Sequence, residues 1–400
     1  MTSTPATTKP ACRECGTRDH WLGEHIVEVH GISLPAYLAK YPGAPLASED
    51  AQNDLTRMVG DLRKKLSEPP KVGALSIDFA GVRARVNPDV PEEACLRLPD
   101  AYRIPQYGEL AKDVREAAVS LSRGRSMYVW GLPGTGKDAL FHAFSWMTRN
   151  PGLIFQVEPS ADIRSWFFSH EFNKDGTYWA EGELLKALRD GYLTTSGRRI
   201  PYIILITDFD RATKEQAESL RLVLDSIEGR VKGPAGVTYK VFPGTQIVVT
   251  ANTAGSGDAR GRCISANVID ASILDRFGRA YEFHWMDWRD EEVIVREKFP
   301  LLVERCPAVF NQVGKACEAL RIAIRADELY AEFSHRALCA WLGHAEDIVA
   351  VEDKVPGDLV KRAFRAVLDK MPDAETRDAA LRLADPHISG GALPNAGKKK

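Results

Sequence analysis

The stretch Val129–Asp138, "VWGLPGTGKD", ends one kind of sequence and begins another. Before it runs "SMYVWG" (126–131), short and apolar enough for a buried strand. After it runs "DALFHAFSWM" (138–147), which reads as a helix. A strand, a glycine-rich turn and a helix in that order form the frame in which backbone N–H groups and a helix N-terminus hold phosphate. The pattern G-x-x-x-x-G-K-[ST] is met at Gly131, Gly136 and Lys137. Its last position is not, because Asp138 stands where a hydroxyl would meet Mg²⁺. The expected cradle is Gly131, Pro133, Gly134, Thr135, Gly136, Lys137, Asp138 and Ala139, with the Lys137 ammonium reaching the β- and γ-phosphates of ATP. A plain glycine turn without a ligand is the competing reading. The strand, the two glycines and the lysine together weigh against it.

Around this loop the chain repeats one rhythm. Apolar runs at "LIFQVE" (153–158), "YIILITD" (202–208) and "TQIVVTA" (245–251) alternate with helical stretches. This predicts an α/β fold, a parallel sheet with helices on both faces. Before it, "LSIDFAGVRARV" (75–86) alternates apolar and polar residues around Ala80-Gly81, the signature of a β-hairpin. The core is expected over 73–290 and an α-helical lid over 291–384. Residues 1–10 and 385–400 are expected to be disordered, and 44–72 to be a linker with a short helix over Asp54–Leu66.

Composition sets outer bounds. Of 400 residues, 53 are Lys or Arg and 55 are Asp or Glu. So near a balance gives bulk electrostatics no call for nucleic acid or a membrane surface. There is no apolar run of about 18 residues and no basic-then-apolar leader, so the expected location is the cytoplasm. Seven cysteines in this length point to a reducing compartment rather than a disulfide framework.

The second half of a nucleotide site should be an apolar strand that ends in acids. "YIILITDFDRA" (202–212) is that strand. Where such sites carry Asp then Glu, aligning on Arg211-Ala212 places Thr207 then Asp208. The two departures mirror one another: the loop exchanges a hydroxyl for a carboxylate, and the strand a carboxylate for a hydroxyl. Asp138 and Thr207 would then hold Mg²⁺ jointly, with Asp208 positioning water. The other register makes Asp208 the metal ligand and Asp210 the base. A site that binds but does not hydrolyse is a third reading.

Further on, "TQIVVTAN" ends in Asn252, and after a long insertion comes "LDRFGR" (274–279). "GLPGTGKD", "EGELLKALRDGY" (181–192), "TDFDRA", "TANTAGSGDARG", "DRF" and "FSHRALCAW" (333–341) together resemble an AAA+ ATPase of the MoxR group, most of all the AAA subunit of aerobic cobaltochelatase and its phage-encoded relatives. The resemblance spans about 100–345. It implies an AAA+ P-loop core with a C-terminal helical lid. It makes Asn252 sensor 1, Arg276 the arginine finger, with Arg279 as a second candidate, and Arg336 sensor 2. A finger acting on a neighbour implies a homo-oligomeric ring, a hexamer in this group. A von Willebrand A domain partner is implied too, and a bacterial or phage-infected bacterial cell.

The N-terminal "CRECGTRDHWLGEHIVEVHG" has Cys12-x₂-Cys15-x₉-His25-x₄-His30. Two thiolates and two imidazoles suit tetrahedral Zn²⁺, and a segment this short draws its folding energy from the metal. His20 is a spare histidine. With the following "HGISLPAYLAKYPGAPL" the segment, placed at 11–43, resembles the zinc finger of Ros/MucR-type regulators. Those fingers bind DNA. Here Arg13, Arg18 and Lys40 face Glu14, Asp19, Glu24 and Glu28 in the count, so a protein-recruiting role is favoured over a nucleic-acid one. The function expected is thus an ATP-driven ring motor that remodels a protein partner or drives chelatase-like metal insertion. The alternative is a nucleic-acid-associated ATPase, or a nucleotide-gated DNA-binding scaffold, that reads DNA through the finger.

Overall fold

Parallel strands with little exposed surface favour apolar side chains, and four runs of this chain are rich in them. In the computed structural model they are β1 (Met127–Trp130), β2 (Gly152–Gln156), β3 (Ile203–Thr207) and β4 (Gln246–Ala251). The short β5 (Ala280–Glu282) joins them. The structure describes residues 9–19, 21–32, 34–48, 75–99, 102–173, 176–224, 229–233, 237–257, 265–352 and 354–389. The proposed helix over 54–66 and the segments 1–8 and 390–400 lie outside these residues.

The sheet is wholly parallel, in the order β5-β1-β4-β3-β2. β4 therefore lies between β1, which leads into the glycine loop, and β3, which leads into Asp208. Crossover from β1 to β2 carries the helix Lys137–Thr148. Alternation along each strand sorts the core into two layers. Met127, Val129, Ile203, Leu205 and Val248 pack with Leu140, Phe141 and Phe144 of that helix. Tyr128, Ile204, Ile206, Ile247 and Val249 face the other layer, with Leu184, Leu188 and Leu220.

The hairpin expected at 75–86 is present as Ser76–Phe79 paired with Val82–Arg85. Ala80 and Gly81 both have positive φ, 55° and 75°, as a two-residue turn of matching twist requires. Three further hairpins were not anticipated: Phe168–Asn173 with Gly176–Glu181, Tyr192–Leu193 with Arg199–Ile200, and Arg230–Lys232 with Thr238–Lys240.

The lid begins at the helix Trp288–Lys298 and continues through Ala308–Arg325 and His335–Val351 to Ala374–Ile388. It has its own core, with Phe310, Phe333, Trp341 and Phe364 fully buried. Its end corrects the expectation of disorder from 385. The last helix runs to Ile388, whose side chain is buried in the lid core.

Residues 1–74 form a unit of their own. Within it the helices Gly23–His30 and Leu34–Lys40 enclose a small core of Cys12, Leu22, Ile26 and Tyr37. The module is longer than 11–43 at both ends. Pro10 O accepts from Asp19 N, and Leu46 O accepts from Leu22 N at 2.8 Å, which extends the pairing through the Trp21–Ala47 bridge.

Candidate nucleotide site and Cys/His cluster

A cleft of about 510 Å³ opens at the C-terminal ends of β1, β3 and β4. This is where an open α/β sheet binds ligands. Its lining includes the loop, Pro133 to Ala139, with Asp208, Thr250, Asn252 and Arg336. It also includes the apolar Pro99, Tyr102, Met286 and Ile294. Polar and apolar groups of these kinds suit phosphates and a flat heterocyclic base. Asp290 of the first lid helix accepts from Gln106 N and Tyr107 N at 2.9 and 2.8 Å, which ties the segment bearing Tyr102 to the lid.

Glycine is required in the loop for two different reasons. At Gly131 a Cβ would stand 2.2 Å from Phe283 O, because β5 passes close to β1 here. At Gly134 φ is 74° and a Cβ would stand 2.4 Å from Ser334 Cβ, at the start of a lid helix. The loop is thus pressed between sheet and lid. Gly136, at φ 82°, leads into the Lys137–Thr148 helix, whose first turn lines the cleft with Lys137, Asp138 and Ala139.

Lys137 is 9% exposed, and its Nζ donates to Gly131 O at 2.7 Å, Leu132 O at 3.2 Å and Asn252 Oδ1 at 3.2 Å. The loop lysine and the end of β4 therefore meet directly. Asn252 is held in turn from behind. Its backbone N–H donates to Asp210 Oδ2 at 2.9 Å. Asp210 is 1% exposed, does not line the cleft, and has its other oxygen without a hydrogen-bond partner. Burial pushes its carboxyl above the usual range.

Asp208 lines the cleft with a positive φ of 56° and accepts from Gln156 Nε2 at 3.1 Å. Asp138 lines it from the first turn of the loop helix. Thr207 is absent from the lining. Strand alternation nevertheless puts it on the face of Ile203 and Leu205, the face that packs the loop helix. Asp138 and Asp208 offer hard carboxylate oxygens of the kind Mg²⁺ takes, so the donor set fits that ion.

Arg336 lines the cleft from the lid. Arg276 does not; its guanidinium folds back to donate to Ser272 O, and its Nε is buried without a partner. Arg279 is paired with Glu116 at 3.1 Å on the surface. Sequence reading missed Thr250, Tyr102, Met286, Glu291 and His335. Thr250 alone had a local signal, a polar residue two before Asn252 that follows the apolar 247–249.

In the N-terminal unit, one donor atom from each of Cys12, Cys15, His25 and His30 lies within 4.8 Å of the others. Cys15 Sγ to His25 Nε2 is 3.1 Å, Cys12 Sγ to His30 Nε2 is 3.6 Å, and the two Nε2 atoms are 3.2 Å apart. Ligands at zinc bond lengths around a tetrahedron stand roughly 3.3–3.8 Å apart. The four residues fit such an ion. A tight turn brings the cysteines in, with Gly16 N donating to Cys12 O and Cys12 N to Thr17 O, both at 2.8 Å. The His-bearing helix ends at Gly31 in the left-handed conformation, just after His30. Among the described residues no helix is long and apolar enough to cross a membrane.

Comparison with known proteins agrees with the cleft. Residues 126–277 match the AAA domain of the dynein-related subfamily. No curated protein matches the chain. Among solved structures, the chain is similar to the RuvB Holliday junction branch migration motor of Thermotoga maritima, with 15% identity, 72% of this chain and 78% of that one covered, and a TM-score of 0.42. It is also similar to NtrX from Brucella abortus in complex with ADP, with 13% identity, coverage of 85% and 66%, and a TM-score of 0.42. The match over 126–277, the 5-1-4-3-2 sheet and the Lys137–Asn252 contact at the C-terminal ends of its strands together mean that residues 126–277 of this chain carry an ATP-hydrolysing AAA domain.

Proposed function

We propose that the chain is an ATP-driven ring motor of the MoxR type that remodels a protein partner, with its Cys/His module as the recruiting element. The observation that carries this reading is the convergence of Lys137, Asn252, Asp208 and the lid's Arg336 on one cleft. A lid that touches the loop through Ser334 and Gly134 can turn phosphate occupancy into movement of the lid. Asp138 and Thr207 would hold Mg²⁺, which screens phosphate charge when bound. Lys137 would hold the phosphate oxygens, and Asn252 and Asp208 would orient the attacking water. Cys12, Cys15, His25 and His30 would hold Zn²⁺, whose contribution is structural.

Arg276, turned away from the cleft of its own chain, would serve a neighbouring subunit. The MoxR resemblance adds a von Willebrand A domain protein as partner. The ion pair of Lys40 with Glu14, at 2.7 Å, removes one of the module's few cations from phosphate binding and favours protein over DNA.

Native mass spectrometry of the Asp208→Asn variant with Mg-ATP tests this. A six-membered ring, and a von Willebrand A domain protein retained by that variant but not by its Cys15→Ser derivative, would support it. A monomer at micromolar concentration with ATP bound would sink the ring. ATPase activity stimulated by duplex or single-stranded DNA and lost in Cys15→Ser would favour the nucleic-acid reading.

A further inference from the structure

Glu291, Arg321, His335 and Cys339 form a chain of contacts that the nucleotide chemistry leaves unused. Glu291 is 1% exposed on the first lid helix. Arg321 of the Ala308–Arg325 helix donates to both its oxygens, at 2.5 and 3.1 Å. His335 Nδ1 lies 2.7 Å from Glu291 Oε1, and His335 Nε2 lies 3.3 Å from Cys339 Sγ. Four residues separate His335 from Cys339, so one turn of helix sets the second contact. A buried carboxylate that orients an imidazole, which in turn faces a thiol, is the arrangement that activates a sulfur nucleophile.

The other lid cysteines provide the contrast. Burial pushes the Cys306 thiol up to about 11, and the Cys317 thiol further still. At Cys339 burial acts in the same direction, but the hydrogen bond and charge of His335, then Lys298, overcome it and lower the thiol. Burial alone would lower the His335 imidazolium, and its bonds to Cys339 and Glu291 raise it to about 9 instead. Cys339 is also partly exposed, which Cys306 and Cys317 are not.

We propose that Cys339 is a modification site, a reactive thiolate whose two-electron oxidation by hydrogen peroxide weakens the nucleotide cleft. The sulfur attacks one peroxide oxygen, forming the S–O bond as the O–O bond breaks. The departing hydroxide takes the proton of the His335 imidazolium. Products are Cys339 sulfenic acid, water and a neutral His335; sulfur has lost two electrons and the peroxide has gained them. His335 lines the cleft beside Arg336, so an oxygen added to Cys339 disrupts the sulfur–imidazole contact that holds His335 in the cleft wall. The consequence for nucleotide rests on the ATPase reading, whereas the reactivity of the thiol does not.

The test uses the full chain. Iodoacetamide labelling at pH 7, resolved by peptide mass spectrometry, should modify Cys339 at least about tenfold faster than Cys306 or Cys317, and His335→Gln should remove most of that advantage. Peroxide followed by dimedone should tag Cys339, and affinity for a fluorescent ATP analogue should fall several-fold and return with dithiothreitol. Cys339→Ser should bind the analogue before oxidation and keep it afterwards. Labelling of Cys339 no faster than of Cys306 overturns the proposal. So does an equal loss of affinity in Cys339→Ser, which would trace the effect to another residue. Failure of the unoxidised protein to bind any ATP analogue would instead count against the nucleotide reading, with the labelling rates still deciding the thiol.

Discussion

Asp138 and Thr207 are exchanged in kind relative to the usual loop and strand, and their placement makes the exchange testable. Asp138 lines the cleft, and Thr207 lies on the sheet face that packs the same helix. If they share one ion, Asp138→Ser should lower Mg-dependent ATPase activity by tenfold or more, and adding Thr207→Asp should recover most of it. Steady-state phosphate release measures both, and a double variant no better than the single one refutes the pairing. Asp210 separates the two registers of the acidic strand end. Its carboxylate is buried and accepts the Asn252 N–H, which is a supporting role. Asp210→Asn keeps an acceptor and should retain activity within a few-fold. Asp210→Ala leaves the N–H without its partner and should cost about 1–3 kcal/mol in urea denaturation. Loss of hydrolysis in Asp210→Asn with ATP binding intact would restore Asp210 as the base.

Among the elements, the lid helices carry the largest buried electrostatic commitment. Glu291, Arg321 and His335 join three of them. His335 is raised from about 6.5 to about 9, so its charged pairing contributes stability in full below pH 6.5 and loses it as pH rises through about 9. The midpoint of thermal unfolding, followed by the fluorescence of the lid tryptophans, should therefore fall across that window in the wild type and much less in His335→Gln. Parallel slopes for the two proteins would show that another group carries the alkaline loss. The strands β1, β3 and β4 were legible as apolar runs because they are largely buried on both faces, and β2, at the sheet edge, was legible from its apolar residues 153–155. β5 was not, since three residues, "AYE", half exposed at a sheet edge, carry no such pattern. The hairpins at 168–181 and 230–240 were missed for a related reason: their faces are largely exposed, so alternation had little to mark. The last helix outruns the lid's expected end at 384 and continues through Pro386 to Ile388, since a proline in a final turn forfeits only one hydrogen bond.

For the whole molecule, the residues of the site fall into those that meet within one chain and one that does not. Lys137, Asn252, Asp208 and Arg336 were legible from local motifs, and a single fold brings them together. His335 and Glu291 were not legible, because no local motif gave either of them a role. Arg276 was legible from "DRF" and yet lies outside the lining of its own cleft. The head-to-tail ring proposed above would resolve this, since each cleft would then borrow Arg276 from the next subunit. That arrangement makes a prediction which no monomeric site shares. Lys137→Ala and Arg276→Ala should each abolish hydrolysis alone. Mixed, they should complement, because an Arg276→Ala subunit keeps Lys137 and receives an intact Arg276 from a Lys137→Ala neighbour. Random assembly of equal amounts around a closed ring places such a pair at roughly a quarter of the interfaces. Phosphate release should therefore reappear at up to that share of the wild-type rate, once subunits have been allowed to exchange. A mixture as inactive as its components, with exchange verified by native mass spectrometry, would show that Arg276 does not act across the interface.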